Sequence, residues 1–417
     1  MEAYTVEFLN MLGRWVHMIT GIAWIGASFY FVWLDNHLHA PNDKAVADKG
    51  VGGELWALHG GGFYNAQKYK VAPAKMPEVL HWFKWEAYTT WMSGMFMLAL
   101  IYWYSAEIYL IDPSVADLSK SGAVLLGASA LGIGWLVYDY LCKSSLGKNE
   151  TTLSAAIFVF TVIMAFILTH IFSGRGAFIH FGAMLGTIMA ANVYFTIMPG
   201  QQALVDATLE GKIPDPKYAK NAKQRSVHNT YFTLPVLFVM ISNHYAMTYG
   251  SAWNWLLLIM ISVAGALIRV YFVKCHFGKA SKTPLYIAGA LLFLCFIGMS
   301  PLMATKQATA PVTKPTTTQV ATTSGGPSEA AKTFTAVQSI IKVRCASCHA
   351  ATPTQPGFAA APKGVVFDTP NDIVKQAAII NQQTVLSKVM PIGNLTKMIP
   401  EERALLAQWI NNGAKQQ

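Results

Sequence analysis

Apolar residues fall into eight long runs, over 8–34, 80–104, 122–141, 152–172, 176–198, 228–249, 253–273 and 284–303, separated by polar stretches. A helix of about 20 residues rises roughly 1.5 Å per residue and so crosses about 30 Å of hydrocarbon. The pattern predicts an all-α, polytopic bundle of about eight transmembrane helices over residues 1–303. It then changes twice. Residues 304–332 are rich in Thr, Ala, Pro and Gly and hold too few large apolar groups to bury a core, so they read as a flexible, disordered linker. Residues 333–417 return to helical spacing. Phe334, Val337, Ile340 and Ile341 form the stripe of one helix, and Leu405, Leu406, Trp409 and Ile410 the stripe of another that ends at Gly413. A domain this small has a marginal core unless something else completes it.

Composition supports the membrane reading. Of 417 residues, 53% are hydrophobic and 12% charged, against about 25% charged in soluble domains. The formal charge of +10 would suit nucleic acid, but its distribution points to membrane topology instead. Lys44, Lys49, Lys68, Lys70 and Lys75 follow the first run, Lys143 and Lys148 the third, Lys212 to Arg225 the fifth, and Lys274, Lys279 and Lys282 the seventh. The alternate loops carry only Lys120 and Arg175. Cytoplasmic loops are the basic ones, so both the N-terminus and the C-terminal domain are expected on the outer, periplasmic side of a bacterial inner membrane. The expected partner is a lipid bilayer, with no nucleic acid.

The most specific chemistry lies in the small domain. Cys345-Ala346-Ser347-Cys348-His349 matches the c-type haem attachment motif, in which two thiols bond the haem vinyl groups and the histidine reaches the iron. A zinc site would need further ligands, and no Cys or His follows His349. One covalent haem c in a class I cytochrome c domain is therefore expected. The sixth ligand should be a methionine. Met390, followed by Pro391 and Gly393, suits a stiff loop crossing the haem face; Met398, just ahead of Pro400, Glu401 and Glu402, reads as packing at a helix start. Cys142, Cys275 and Cys295 lie in or beside apolar runs and read as small buried hydrophobes.

Ionisable and amide side chains inside apolar runs are costly, so each is a functional candidate. Four histidines, His17, His170, His180 and His244, fall toward the outer face, where they are candidates to ligate a b-type haem or another metal that relays electrons. Otherwise they are interfacial histidines bonded to water, backbone or headgroups. Arg14 shares a face with His17. Arg175, Asn192 and Asn243 are assigned to the same outer region, as substrate or propionate ligands or as helix contacts. On the inner side stand His81, Lys84, Glu86, Asp139, Gln201, Gln202, Arg225 and His228, together with His59 ahead of three consecutive glycines. That glycine run is either a ligand cradle or a flexible turn. Catalytic residues are thus unassigned, with Arg14, Arg175, Asn192, Asn243, His59 and Glu86 as candidates.

Four stretches, HGGGFYNAQKY (59–69), HWFKWEAYTTWMSG (81–94), GRGAFIHFGAMLGTIMAANVYF (174–195) and QRSVHNTYFTLPVLFVMISNHY (224–245), resemble the membrane-bound, cytochrome c-linked urate oxidases of bacteria. The resemblance implies oxidation of urate to 5-hydroxyisourate in purine catabolism. It further implies that electrons pass through the chain's own haem c to a respiratory acceptor, a cytochrome c or a terminal oxidase, without making hydrogen peroxide. The other reading of the residues is a membrane-anchored electron-transfer cytochrome serving a quinol or partner oxidase. Eight apolar runs exceed what an anchor needs and favour the enzyme.

Overall fold

The computed structural model describes residues 2–113, 115–275, 281–299, 329–356, 358, 360–386 and 388–416. The first apolar run is a single helix, α1 (Glu2–His37), followed by a short α2 (Lys44–Asp48). Then come two strands, β1 (Val51–His59) and β2 (Gly62–Tyr69), α3 (Trp85–Met97), which runs on through a π turn (Leu98–Trp103), and a short α4 (Ala106–Tyr109). The bundle continues with α5 (Lys120–Lys143), α6 (Glu150–Thr169) and α7 (Gly174–Asn192), which passes through a second π turn (Val193–Ile197) into α8 (Met198–Leu209). It closes with α9 (Pro216–Ser242), α10 (Ala246–Tyr249), α11 (Asn254–Cys275) and α12 (Thr283–Gly298).

Side-chain oxygens set the helix starts: Ser119 caps α5, Asn149 caps α6, Ser173 caps α7 and Asp215 caps α9 ahead of Pro216. Among the described residues, five helices are long and apolar enough to cross a membrane: Tyr4–His37, Lys120–Lys143, Glu150–Thr169, Gly174–Leu209 and Asn254–Cys275. The other three expected spans are also helical, over 85–103, 216–242 and 283–298, but are shorter or more polar. The helix expected from 228 starts twelve residues earlier, at Pro216, because Asp215-Pro216 opens it well before the sequence turns apolar.

The core of the bundle is built on α7, where Phe178, Phe181, Met184, Leu185 and Ile188 are buried against Leu153 and Leu168 of α6, Tyr138 of α5, Val239 of α9 and Leu258 of α11. Small residues let these helices approach: a Cβ on Gly182 would lie 2.4 Å from Val239 Cγ1. Meanwhile Leu125, Leu136, Val159, Ile163, Phe293 and Phe296 point outward and are exposed. An apolar outer surface together with an apolar core is what a hydrocarbon environment permits.

The glycine run after His59 is a turn. β1 and β2 pair antiparallel with His59 opposite Gly62, and Gly60 and Gly61 take φ of +58° and +80°, which a two-residue hairpin turn requires. Lys68 Nζ contacts Asp35 Oδ1 of α1 at 2.7 Å and ties the hairpin to the bundle.

Of the expected linker, residues 304–328 lie outside the described residues, while 329–332 already belong to α13 (Glu329–Arg344). The small domain continues with α14 (Pro370–Lys375), α15 (Ala377–Ile380), a π turn (Asn381–Leu386) and α16 (Pro400–Asn411). Its core joins the two predicted stripes: Phe334, Val337 and Ile341 pack with Leu406, Trp409, Ile373 and Met398. Arg344 clamps both carboxylate oxygens of Glu402 at 2.9–3.0 Å and fixes α13 against α16.

Candidate functional site

A connected set of buried polar side chains lies where the ends of α5 and α7 meet the first half of α9. Trp135, Tyr138 and Asp139 share one face of α5 by their three- and four-residue spacing, as do Arg225, His228 and Asn229 on α9. Arg225 Nη2 donates to Asp139 Oδ1 at 2.8 Å, and its guanidinium lies 4.9 Å from the Tyr138 ring centroid and 6.0 Å from that of Trp135. Lys143 bonds the other Asp139 oxygen at 2.6 Å. Asn192 Nδ2 donates to the Tyr138 hydroxyl at 3.1 Å and to Asn229 Oδ1 at 2.9 Å. Asn229 in turn donates to the Met189 carbonyl at 3.0 Å.

Directions follow along this chain. The Tyr138 oxygen accepts from Asn192, so its single proton is directed at His228 Nδ1, 2.8 Å away. His228 then carries its own proton on Nε2, which faces Glu150 Oε2 at 3.4 Å. Glu150 is anchored by Gln224 Nε2 at 2.7 Å, and its side chain is 65% exposed. The arrangement is a proton path from a buried hydroxyl to the surface. Two buried atoms of this set have no hydrogen-bond partner: Arg225 Nη1 and Asn192 Oδ1. Leaving such groups unsatisfied costs about 1–3 kcal/mol each, more for a charged one, so they mark a place for a ligand or ordered water. The π turn Val193–Ile197 immediately after Asn192 re-aims the helix here; such turns recur at functional sites. On its other side Tyr194 lines a cleft of about 370 Å³ with Trp82, Lys84, Tyr88, Met198 and Gln202.

Asn192 was expected near the outer face with the histidines. The structure instead puts it at the opposite end of α7 from Arg175, because it lies 18 residues beyond Gly174, which is about 27 Å along a helix. The other candidates are scattered. His59 is exposed at the end of β1. Glu86, in the first turn of α3, has a buried Oε2 without a partner and His81 at 3.8 Å from Oε1. Arg14 bonds Asn10 of its own helix at 2.7 Å, and Asn243 ends α9. Arg175 donates to the Tyr102 hydroxyl at 3.1 Å and stands 4.8 Å from the Tyr109 ring centroid.

The four outer histidines do not form one ligand set. His180 is fully buried, its Nδ1 bonded to the Gly176 carbonyl at 2.8 Å and its Nε2 accepting from Trp103 Nε1 at 3.1 Å. A Cβ on Gly127 would lie 2.6 Å from that Nε2, so α5 packs closely on the ring. His17 faces α3 and bonds the Thr90 carbonyl and Ser93 Oγ, both at 3.0 Å. His170 stacks on Phe166 at 4.0 Å and is exposed, as is His244. Among the described residues no three His, Cys, Asp or Glu side chains are arranged to hold a metal ion. These positions do not fit a b-type haem.

The small domain does fit a haem c. Cys345 to His349 form the turn after α13. His349 Nδ1 lies 2.9 Å from the Val365 carbonyl; a carbonyl only accepts, so Nδ1 bears the proton and Nε2 keeps the lone pair an iron needs. Burial pushes the Cys345 thiol up to about 12, with Cys348 adding to the effect. Met398 is buried in the core among Phe334 and Trp409. Met390 is half-buried, on a loop whose backbone is held by Gln383 at 2.9 Å and by Arg403 at 2.7 Å.

Of this connected set, Asp139, Arg225 and His228 stand out in the sequence as polar residues beside apolar runs, but Tyr138, Asn229 and Glu150 give no such signal. No curated protein and no solved structure matches the chain. The family model described as urate oxidase N-terminal matches residues 3–300.

Proposed function

Since the chain belongs to the urate oxidase N-terminal family, we propose that it is a membrane-bound urate oxidase whose substrate binds at the inner end of the bundle and whose electrons leave through a haem c on residues 329–416. The observation that carries the site is the pair of unpartnered buried atoms, Arg225 Nη1 and Asn192 Oδ1, in one connected network. The five long apolar helices, joined by 85–103, 216–242 and 283–298, make eight spans of a bacterial inner membrane. The basic loops then put the network near the cytoplasm and the small domain in the periplasm.

The urate monoanion and one water yield 5-hydroxyisourate, one proton and two electrons. Arg225 Nη1 is the charged donor for the planar anion, and Asn192 Oδ1 accepts from a ring N–H. Trp135 and Tyr138 supply an aromatic wall. The proton leaves along the path already drawn: His228 gives its Nε2 proton to Glu150, takes the Tyr138 hydroxyl proton on Nδ1, and leaves Tyr138 to accept one from the substrate or its water. Cys345, Cys348, His349 and Met390 would hold a haem c, which would supply the one-electron acceptor. A respiratory cytochrome c or terminal oxidase then takes the electrons, and hydrogen peroxide is not formed.

The test is turnover of the detergent-purified chain with a one-electron acceptor dye. Loss of urate absorbance with two dye molecules reduced per urate and no peroxide supports the proposal. Absence of urate loss under these conditions overturns it.

A further inference from the structure

The outer end of the bundle carries a contact that urate chemistry does not require. Gly393, on the loop that follows Met390, has φ of +55°, and a Cβ there would lie 2.7 Å from the Ile111 carbonyl oxygen and 3.4–3.5 Å from those of Ile108 and Glu107. The loop backbone thus rests directly on the carbonyl end of α4. Val389 packs against the apolar cluster of the bundle. Arg403, which donates to the Thr384 and Met390 carbonyls and so shapes the loop, also interacts electrostatically with Asp112, just past α4.

Below α4 runs a string of aromatic side chains. The turn before α7 holds α4 in place: Ser173 Oγ donates to the Tyr109 carbonyl and Ser173 N to that of Leu110, both at 2.9 Å. Tyr109 lies 6.2 Å from Tyr102, Tyr102 lies 6.2 Å from His180, and Trp103 bonds His180 at 3.1 Å. The string ends beneath the loop that bears Met390.

We propose that α4 with residues 110–112 is the dock through which the small domain receives its electrons, and that loop 389–394 is the part of that domain that seats there. This rests on the reading of residues 329–416 as a haem c domain. Each electron that crosses is lost by the purine-derived donor in the bundle and takes the iron from ferric to ferrous; no bond forms or breaks in the crossing. Two crossings complete one substrate oxidation, the proton leaving separately at the inner end. The docked loop covers the methionine side of the domain, so the onward acceptor approaches another face or waits for release.

The experiment uses the full haem-loaded chain in detergent and two readouts: amide hydrogen exchange in residues 106–112, and the stopped-flow rate of haem reduction by urate. Gly393→Val removes the seat. Gly413→Val is the control, since Gly413 also has positive φ (+89°) but its would-be Cβ meets nothing closer than 3.8 Å. Val389→Asp disrupts the dock without the positive-φ strain. Gly393→Val and Val389→Asp are expected to raise exchange in 106–112 and to slow reduction about tenfold as the docked fraction falls, with the dithionite-reduced spectrum unchanged and Gly413→Val at wild-type values. Wild-type exchange in both disrupting variants overturns the dock, and raised exchange with an unchanged reduction rate overturns its role as the electron port. A wild-type chain with no c-type band, or none reducible by urate, instead overturns the functional reading, while the exchange data still report on the contact.

Discussion

Arg225 shows what a single side chain decides here. Its Nη2 is paired with Asp139, whereas its Nη1 is buried and free. Arg225→Lys keeps a charge for Asp139 but loses the second arm of the guanidinium. Loss of one charge-assisted hydrogen bond, about 1.5–3 kcal/mol, is expected to raise the KM for urate roughly tenfold to a hundredfold with the protein still folded, as steady-state kinetics would read. An unchanged KM would remove Arg225 from the substrate. Tyr138→Phe leaves the ring but breaks the proton path between Asn192 and His228. A drop in kcat of about a hundredfold is expected, at the lower end for general acid–base groups, with KM little changed; wild-type kcat would show that the hydroxyl is not on the proton path. At this scale the sequence was only partly readable. Cys345, Cys348 and His349 stand out in the sequence because they form one contiguous motif. Tyr138, Asn192 and Arg225 meet only through packing of three helices far apart in the chain, and nothing in any one helix announces the meeting.

Among the elements, the pair α13 and α16 gives a pH-dependent prediction. Burial pushes the Glu402 carboxyl up, but the Arg344 guanidinium and the Ile399 N–H outweigh it and hold the group below the usual carboxylate range. A depressed folded-state value stabilises the domain above the unfolded-state pKa of about 4.3. That stability is lost as pH falls through the lower folded value. Thermal melts of the small domain between neutral pH and about pH 3 should therefore show a falling midpoint, and Glu402→Gln should flatten that dependence while lowering the neutral-pH midpoint. An equally steep acid loss in the variant would assign the effect to other groups. The glycine run was read as a flexible turn or a ligand cradle, and the turn is what forms; the two strands it joins, β1 and β2, were not foreseen, although strand-like segments flank Gly60-Gly61. The start of α9 was missed as well, since apolarity marks the membrane depth of a helix, whereas its true beginning is set by Asp215 and Pro216.

For the whole molecule, two units of opposite character share one chain. The bundle is held by apolar packing in an apolar surrounding, and is expected to stay folded when the haem is absent. The small domain relies on a core of about ten buried residues, so the haem should complete it. Replacing both Cys345 and Cys348 by Ser is expected to make residues 329–416 protease-sensitive while the bundle remains in the membrane fraction; an equally resistant C-terminal fragment would contradict this. Apolar run lengths announced helices at all eight positions, five of them long and apolar enough among the described residues to cross a membrane. What they did not reveal is which polar groups face one another. Asn192 was set beside Arg175 although the 18 residues that part it from Gly174 can be counted in the sequence; the separate partners of His17 and His180 could not be read there.

The measurement closest to the central claim is an anaerobic optical spectrum of the purified, oxidised protein before and after adding urate. Reduction of a c-type haem band by urate, without a second b-type band, is the expected result. A band that dithionite reduces and urate leaves oxidised would contradict the account, leaving a membrane-anchored electron-transfer cytochrome without a purine substrate.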